Sequence, residues 1–253
     1  MSTTFKNFVL LFSLSIIFFS CKEKKYVATK VTAKTIAIDS SIASVNNITK
    51  TIAPYKEKMI KEINTVISYT PKNLTRTSGK LESTLGNLLA DLSYERANPN
   101  FYKETGKNID FAMFNYGGIR AGIQKGNVTN KHAFELMPFD NVYVVVELPG
   151  DKMEELITYL ITQKTAHPLS KQVKLTITKN GYEFFIHNKR FDKKKNYYVL
   201  TTDYLQSGGD NMFFFKNPKN IYKQDYKMRD AIVDYFKSVD TVNADLDNRF
   251  KRK

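Results

Sequence analysis

From about Arg76 onward, hydrophobic residues repeat alternately with the period of a helix and with that of a strand. No segment rich in Pro, Gly or Ser interrupts this alternation, and no internal repeat is present. The sequence therefore predicts one domain of mixed α and β structure, of the α+β class. Apolar residues make up 42% of the 253 residues and aromatic residues 13%. This content is sufficient for a buried core and excludes an intrinsically disordered chain.

Short strands and amphipathic helices are predicted for the body of this domain. One helix is predicted around Leu85, Leu88, Leu89 and Leu92, a second begins at Gly150 with Asp151 as its N-cap, and a third over 228–239 closes the domain. Strands are predicted over 110–114, 142–148 and 197–202. A hairpin turn is predicted at Asn180-Gly181. Before the body, residues 27–38 alternate like one strand or an extended linker. Spacings of three and four from Ile42 to Ile67 predict helices that break near Pro54.

An apolar stretch over residues 8–19 follows Lys6 and is too short to span a bilayer, as is typical of a signal-peptide core. Ser20 and Cys21 follow directly, and a small residue before the only cysteine resembles the lipidation site of bacterial lipoproteins. We predict a signal peptide at 1–20, a lipidated Cys21 with a linker to residue 39, and the domain with an N-terminal linker helix at 40–253. The expected location is the bacterial cell envelope, after export and lipid anchoring. An uncleaved anchor and an unmodified thiol are the alternatives.

Common hydrolytic motifs are absent from the sequence, which contains neither a G-x-S-x-G nucleophile elbow nor a G-x-x-x-x-G-K-[ST] phosphate loop. The single cysteine excludes an internal disulfide and a cysteine-based zinc site. His132, His167 and His187 are too scattered for a metal cluster, which favours structural or surface roles. We therefore expect no metal or cofactor in this chain and no hydrolysis by the chain alone.

The net charge of the chain gives a further indication of what the chain binds. Lys and Arg number 39 against 25 Asp and Glu, a formal net charge of +14 at pH 7. Such an excess favours an anionic ligand or surface, or serves solubility alone.

Three loops at predicted strand ends carry the candidate binding residues. In the first, over 115–120, Gly117 and Gly118 allow the backbone to approach a ligand closely, and Arg120 has the geometry to bind phosphate or ribose oxygens. In the second, over 137–141, the ring of Phe139 lies near the amide of Asn141, a combination suited to the face and edge of a nucleobase.

The third loop places Tyr204 and Asp210 on either side of a Gly-Gly bend, where the carboxylate can accept hydrogen bonds from ribose hydroxyls. Each loop alone is also typical of an ordinary turn, with Phe139 in the core.

Taken in order, the three loops resemble the C-terminal domain of the 5′-nucleotidase family, which includes UDP-sugar hydrolases and 2′,3′-cyclic nucleotide phosphodiesterases. Residues 85–91, L-G-N-L-L-A-D, resemble a helix of that domain, and Leu148-Pro149-Gly150 resembles the entry to another. The resemblance extends over nearly all of the chain after the leader. The three loops and these two segments, found in the family's order, are more specific evidence for the family than any one of them.

The resemblance implies a four-layer α/β/β/α fold that binds the nucleoside part of a nucleotide, with the base between two aromatic rings. By motif position these rings are Phe139 and Tyr204. The implied polar contacts to base and ribose are Asn115, Asn141 and Asp210, with Arg120 beside the ribose or phosphate.

Some positions depart from the family pattern. Gly79 stands where the family often has a nucleotide-contacting arginine, with Arg76 and Lys80 as nearby cations. Tyr116 and Asn211 replace glycines, which predicts a narrower pocket.

The resemblance also implies a dimetal phosphoesterase domain, for which this sequence shows no ligand set. The leading prediction is therefore a nucleotide- or nucleoside-binding half of a 5′-nucleotidase, anchored to the membrane by lipid. It would work with a separately encoded metallophosphoesterase chain that carries the divalent metals. The alternatives are a non-catalytic nucleoside-binding lipoprotein and a basic surface that binds nucleic acid or anionic glycan. The ordered motifs make nucleic acid the less favoured ligand.

Overall fold

A computed structural model describes residues 5, 7 and 26–253 of the chain. Cys21 and nearly all of the predicted signal peptide lie outside the described residues. The chain divides into two compact units, residues 1–50 and 51–253. In the first unit, residues 27–38 form neither helix nor strand and are exposed, so the strand alternative is wrong. Across the described residues, every helix is too short or too polar to cross a bilayer.

Helices and strands alternate along the second unit, which also contains most of the first helix. The helices are α1 (Asn46–Ile63), α2 (Thr84–Thr105), α3 (Asn130–Leu136), α4 (Gly150–Gln163), α5 (Asp203–Gln206) and α6 (Met228–Ser238). The strands are β1 (Val66–Thr70), β2 (Phe111–Ala112), β3 (Gly126–Thr129), β4 (Val142–Pro149), β5 (Val173–Thr178), β6 (Gly181–Ile186), β7 (Lys189–Arg190), β8 (Asn196–Thr202), β9 (Asn220–Lys227) and β10 (Phe250–Arg252). Short 3₁₀ turns cover Tyr116–Gly118, Gly209–Asn211 and Phe213–Phe215.

The strands form two four-stranded sheets and a two-stranded ribbon. The central sheet has the order β2-β8-β4-β9, in which β2 and β8 are parallel and the other neighbours antiparallel. The second sheet has the order β10-β5-β6-β7, and β1 pairs with β3. Because β2 and β8 run in the same direction, the loops that follow them emerge at the same edge of the central sheet.

The central sheet is covered on both faces. On one face Phe101 of α2 contacts Tyr198 and Tyr222, with ring centroids 5.6 and 5.3 Å apart. On the other face Phe111 meets Phe184 of the second sheet at 6.3 Å. This layering of helices and two sheets confirms the predicted mixed α/β class, and it explains why β4 and β8 are apolar on both sides.

Helix α2 is capped at both ends. The Ser83 side chain accepts a hydrogen bond from the Gly86 N–H at 3.0 Å, which satisfies a donor left free in the first turn. Gly106 ends the helix in the left-handed conformation, at φ 70°. Leu85, Leu88 and Leu89 of this helix are buried, as the leucine spacing predicts.

Three helix predictions are wrong in detail. The spacing predicts helix as far as Ile67, but Ile67 lies in strand β1. Helix α1 continues through Pro54, because the helix is exposed and solvent can hydrogen-bond the carbonyl that loses its N–H partner. Asp151 is not the N-cap of α4; Pro149 is, and Asp151 lies in the first turn. A carboxylate there still stabilises the helix, because the N-terminal end carries a partial positive charge.

The C-terminal strand is held by a buried arginine. The Arg249 guanidinium donates to both carboxylate oxygens of Asp91 at 2.9 Å, to Asp247 at 2.7 and 2.9 Å, and to the Leu169 carbonyl at 2.7 Å. Arg249 is only 4% exposed. These bonds connect α2, the segment before β5 and the start of β10.

Candidate functional site

A cleft of about 310 Å³ opens where β2 and β8 end, at the edge of the central sheet. Its lining residues come from the three predicted loops and are Asn115, Gly117, Gly118, Arg120, Phe139, Asn141, Tyr204 and Asp210. The structure therefore brings all eight predicted residues together. Ligands of open α/β sheets commonly bind at the carboxyl ends of strands, which is where this cleft lies.

Asp210 connects the first and third loops. One carboxylate oxygen accepts a hydrogen bond from the Asn115 side-chain amide at 2.7 Å, and the other accepts from the Tyr204 hydroxyl at 3.0 Å. The hydrogen bond to Asp210 raises the pKa of Tyr204, so the phenol keeps its proton at neutral pH. Gly117 lies close by, since a Cβ there would be 3.3 Å from the Asp210 carboxylate. The carboxylate is thus held in place by two donors from different loops.

The Gly-Gly bend positions the Tyr204 ring. Gly208 has φ 96°, a conformation that favours glycine. A Cβ on Gly209 would lie 2.4 Å from carbons of the Tyr204 ring, so only glycine allows the ring to pack against this backbone. The aspartate that follows has φ 52°, a left-handed conformation that Asp and Asn tolerate better than most residues.

Two aromatic rings of the cleft remain accessible to solvent. Phe139 is 36% exposed and Tyr204 is 44% exposed. The Arg120 guanidinium carbon lies 5.8 Å from the centre of the Phe139 ring, within the range of a cation–π contact. Exposed aromatic faces beside amide, carboxylate and guanidinium groups provide both stacking surfaces and hydrogen-bonding groups for a ligand.

Arg229 holds the second loop from behind. It donates to the Phe139 carbonyl at 3.2 Å and pairs with the carboxylate of Asp140. Together with Lys227, at 3.6 Å, it holds the pKa of Asp140 below its usual value. The backbone N–H of Met228 donates to the Asn141 carbonyl at 3.0 Å. The start of α6 therefore holds the backbone of the loop that carries Phe139.

His167 supports the first and third loops from beneath the cleft. It is 7% exposed, and its Nδ1 accepts a hydrogen bond from the Tyr116 N–H at 3.1 Å. Its ring lies 5.4 Å from that of Tyr159, whose hydroxyl donates to the Asp210 carbonyl at 3.0 Å. Burial lowers the pKa of His167 to about 4, although the charge of Asp210 and a hydrogen bond to Phe114 oppose the shift. The imidazole is therefore neutral at pH 7.

The positions that depart from the family pattern have structural explanations. A Cβ on Gly79 would lie 2.5 Å from the Glu82 carbonyl, so this position does not accommodate a side chain. Arg76 instead lies over the Tyr116 ring at 4.6 Å and donates to the Ile119 carbonyl at 2.7 Å. Asn211 keeps the left-handed turn at φ 59°. Neither Tyr116 nor Asn211 lines the cleft, so they do not narrow it directly.

The side chains that commonly bind metals are dispersed over the fold. Within residues 26–253, no three His, Cys, Asp or Glu side chains are grouped so as to hold a metal ion. His132 instead accepts a hydrogen bond at the start of α3, from the Thr129 N–H at 2.9 Å. This part of the chain therefore offers no ready set of metal ligands.

Sequence reasoning missed three positioning residues: His167, Tyr159 and Arg229. None of them belongs to a motif loop, and each acts through a backbone group or a side chain of another segment. The sequence around His167 carries no signal that indicates a partner for it.

Comparison with known proteins gives a consistent assignment. The family described as "5'-nucleotidase, C-terminal domain" matches residues 62–217. A 5'-nucleotidase of Vibrio vulnificus (strain CMCP6) is 26% identical over 202 residues, covering 74% of this chain and 33% of the relative. An apyrase of Tabanus yao is 21% identical over 238 residues, covering 85% of this chain and 43% of the relative.

A solved structure shows the same fold. The structure of a 5'-nucleotidase precursor from Thermus thermophilus matches with a TM-score of 0.65 at 21% identity, covering 80% of this chain and 42% of that one. The chain spans less than half the length of each of these relatives. Because the matched region contains all three cleft loops and makes up more than half of the chain, the chain belongs to the family of 5'-nucleotidase C-terminal domains.

Proposed function

We propose that this chain binds the nucleoside part of a nucleotide for a 5′-nucleotidase-type phosphohydrolysis. The observation that carries the proposal is the meeting of three loops around one cleft. There, two exposed rings lie beside an anchored carboxylate. The base would stack between Phe139 and Tyr204, with Asn141 at its edge, and the ribose hydroxyls would donate to Asp210.

Within this proposal, bond breaking belongs to a metallophosphoesterase domain on a separately encoded chain. The present chain contributes orientation: when base and ribose are fixed, the phosphate is presented in one direction. Arg120 lies at the rim of the cleft and donates to the Gly117 carbonyl at 3.4 Å, so its guanidinium is placed to contact a ribose or phosphate oxygen. Lipid anchoring through Cys21 in the bacterial envelope would keep both chains on one membrane surface.

Replacing Phe139 by alanine tests the stacking. We expect nucleoside binding to weaken by about 1–3 kcal/mol, because one base–aromatic contact is worth that much. Isothermal titration with adenosine measures the change, and circular dichroism checks that the fold is kept. Tyr102→Ala is the control, since this aromatic residue is 54% exposed on α2 and does not line the cleft. Unchanged adenosine affinity in a folded Phe139→Ala variant would remove this ring from the site.

Gly209→Ala tests the bend separately from the ring. The added methyl group would overlap the Tyr204 ring and force it away from its position. We expect a loss of adenosine affinity of about 1–3 kcal/mol, comparable to removal of a stacking ring, although no ligand-contacting group is deleted. Gly126→Ala is the control for backbone strain, because its φ of 126° also disfavours alanine, while a Cβ there meets nothing within 4 Å and the residue does not line the cleft. Equal adenosine affinity in Gly209→Ala and wild type would show that the ring position is irrelevant.

The decisive experiment combines binding and turnover. Calorimetric titration of the purified chain with adenosine and AMP is run in parallel with an assay of phosphate release in the presence of Mn²⁺ or Mg²⁺. Binding without release supports a substrate-binding half, and release on addition of a metallophosphoesterase chain completes the test. Binding that never leads to release with any such chain would favour a non-catalytic nucleoside-binding lipoprotein. Absence of binding would overturn the proposal.

A further inference from the structure

A second cavity lies at the opposite end of the central sheet from the cleft. It has a volume of about 610 Å³ and includes Tyr94, Asp110, His187, Lys189, Arg190 and Lys195 in its lining. We call it the basal cavity. Asp110 directly precedes β2, and Lys195 directly precedes β8, whereas the cleft lies where these strands end. Strand β8 has seven residues, so the two sites are roughly 20 Å apart.

The charges around the basal cavity are unbalanced. Lys189 and Arg190 form the two-residue strand β7, and among residues 26–253 neither of them forms an ion pair. Lys195 has only an exposed partner, Asp192, at 3.8 Å, which solvent screens. Three permanent cations therefore line the cavity.

Asp110 is the one carboxylate among these lining residues, and its contacts are with groups other than the three cations. Its Oδ2 accepts a hydrogen bond from the Tyr198 backbone N–H at 2.7 Å, and its side chain interacts with His187. These contacts hold the carboxylate in place without removing its charge, so three cations against one carboxylate leave an excess of two positive charges at the cavity.

The turn between β6 and β7 builds this side of the cavity. His187 and Asn188 both have positive φ, 48° and 61°, so the hairpin reverses within two residues. Lys189 then pairs with Ile186, and Arg190 with Phe185. The tight turn fixes both cations on a short, paired strand instead of a long loop, which reduces the entropy lost when they hold a ligand.

We propose that the basal cavity binds a small phosphorylated molecule, in a site separate from the nucleoside cleft. Ammonium and guanidinium groups together bind phosphate oxygens through charge-assisted hydrogen bonds. The aromatic side chains of Tyr94 and Tyr197 and the amide of Asn108 provide further contacts for the organic part of such a molecule. A volume of 610 Å³ lies within the usual range for small-molecule sites and is larger than that of the cleft. This inference does not depend on the proposed nucleoside function.

Pyrophosphate is the probe for the test, because it has no base and no sugar for the nucleoside cleft. Titration calorimetry is run on the full chain at constant ionic strength, with wild type and the double variant Lys189→Ala/Arg190→Ala. We expect at least about a tenfold loss of affinity in the double variant, since a single charge-assisted hydrogen bond accounts for that factor. Lys103→Ala/Lys223→Ala is the matched control, because it removes the same net charge from exposed positions outside the cavity.

Each outcome of this experiment decides the proposal. Loss of pyrophosphate affinity in the β7 variant, with retention in the control and in Arg120→Ala, supports the basal cavity. Equal weakening in both double variants would show a general effect of net charge and overturn it. Weakening by Arg120→Ala as large as that in the β7 variant would place pyrophosphate in the cleft and also overturn it. Equal affinity for tricarballylate, a polycarboxylate, would overturn the preference for phosphate, and no binding would overturn the site.

Discussion

The Arg249→Ala variant is expected to lose about 2–3 kcal/mol of unfolding free energy, less than a fully buried ion pair would, because the Asp91 and Asp247 side chains left behind are 27% and 46% exposed. Truncation leaves Asp91 and Asp247 without their cation and the Leu169 carbonyl without its donor. It also releases the start of β10 from α2. Urea denaturation followed by circular dichroism measures the change as a shift of the midpoint at constant slope.

A neighbouring substitution gives the control for this prediction. Lys251→Ala removes an exposed cation from the same strand and should change the stability by less than about 0.5 kcal/mol. Arg249→Lys keeps the charge but loses the planar geometry that contacts two carboxylates, so an intermediate loss is expected. Similar stabilities of Arg249→Ala and Lys251→Ala would contradict the role given to the buried network.

Acidification should destabilise the fold through His167. Burial lowers its pKa in the folded state to about 4, below the usual value of 6.5. Between these two values the unfolded chain binds more protons, so this contribution to stability is present above pH 6.5. It is lost progressively as the pH falls from about 6.5 to about 4. The shift corresponds to about 3 kcal/mol, and protonation of Nδ1 would also remove the acceptor for the Tyr116 N–H.

The His167→Asn variant isolates this titration from those of the carboxylates. The asparagine side-chain oxygen can accept the same hydrogen bond but does not titrate, so the stability of this variant should depend less on pH between 6.5 and 4. Parallel pH profiles of wild type and His167→Asn would contradict the assignment.

The parts of this fold that could be predicted from sequence are those in which local pattern and global packing agree. Leu85, Leu88 and Leu89 have helical spacing, and the structure buries them on α2. The Asn180-Gly181 signal predicts the hairpin between β5 and β6, and the structure has it. The three loops could be assigned to one site only because their ordered motifs resemble those of the 5′-nucleotidase family, since each loop alone is typical of an ordinary turn.

Other features depend on contacts between distant segments, which no local pattern encodes. His167 contacts Tyr116, which lies 51 residues earlier, and Arg229 reaches Phe139 across 90 residues. The helix break predicted at Pro54 does not occur, because solvent exposure of α1 compensates for the lost hydrogen bond. The basic composition predicts an excess of cations, yet only the folded hairpin brings Lys189 and Arg190 to the rim of the basal cavity.

The outer strands of the second sheet have a consequence for how copies of the protein meet. Its two edges are β7 and β10, and adjacent cations lie on both, Lys189-Arg190 on one and Lys251-Arg252 on the other. An exposed sheet edge invites another strand to add to it, and short, charged edge strands oppose that addition by repulsion. The same residues therefore protect the sheet against edge-to-edge aggregation at high protein concentration.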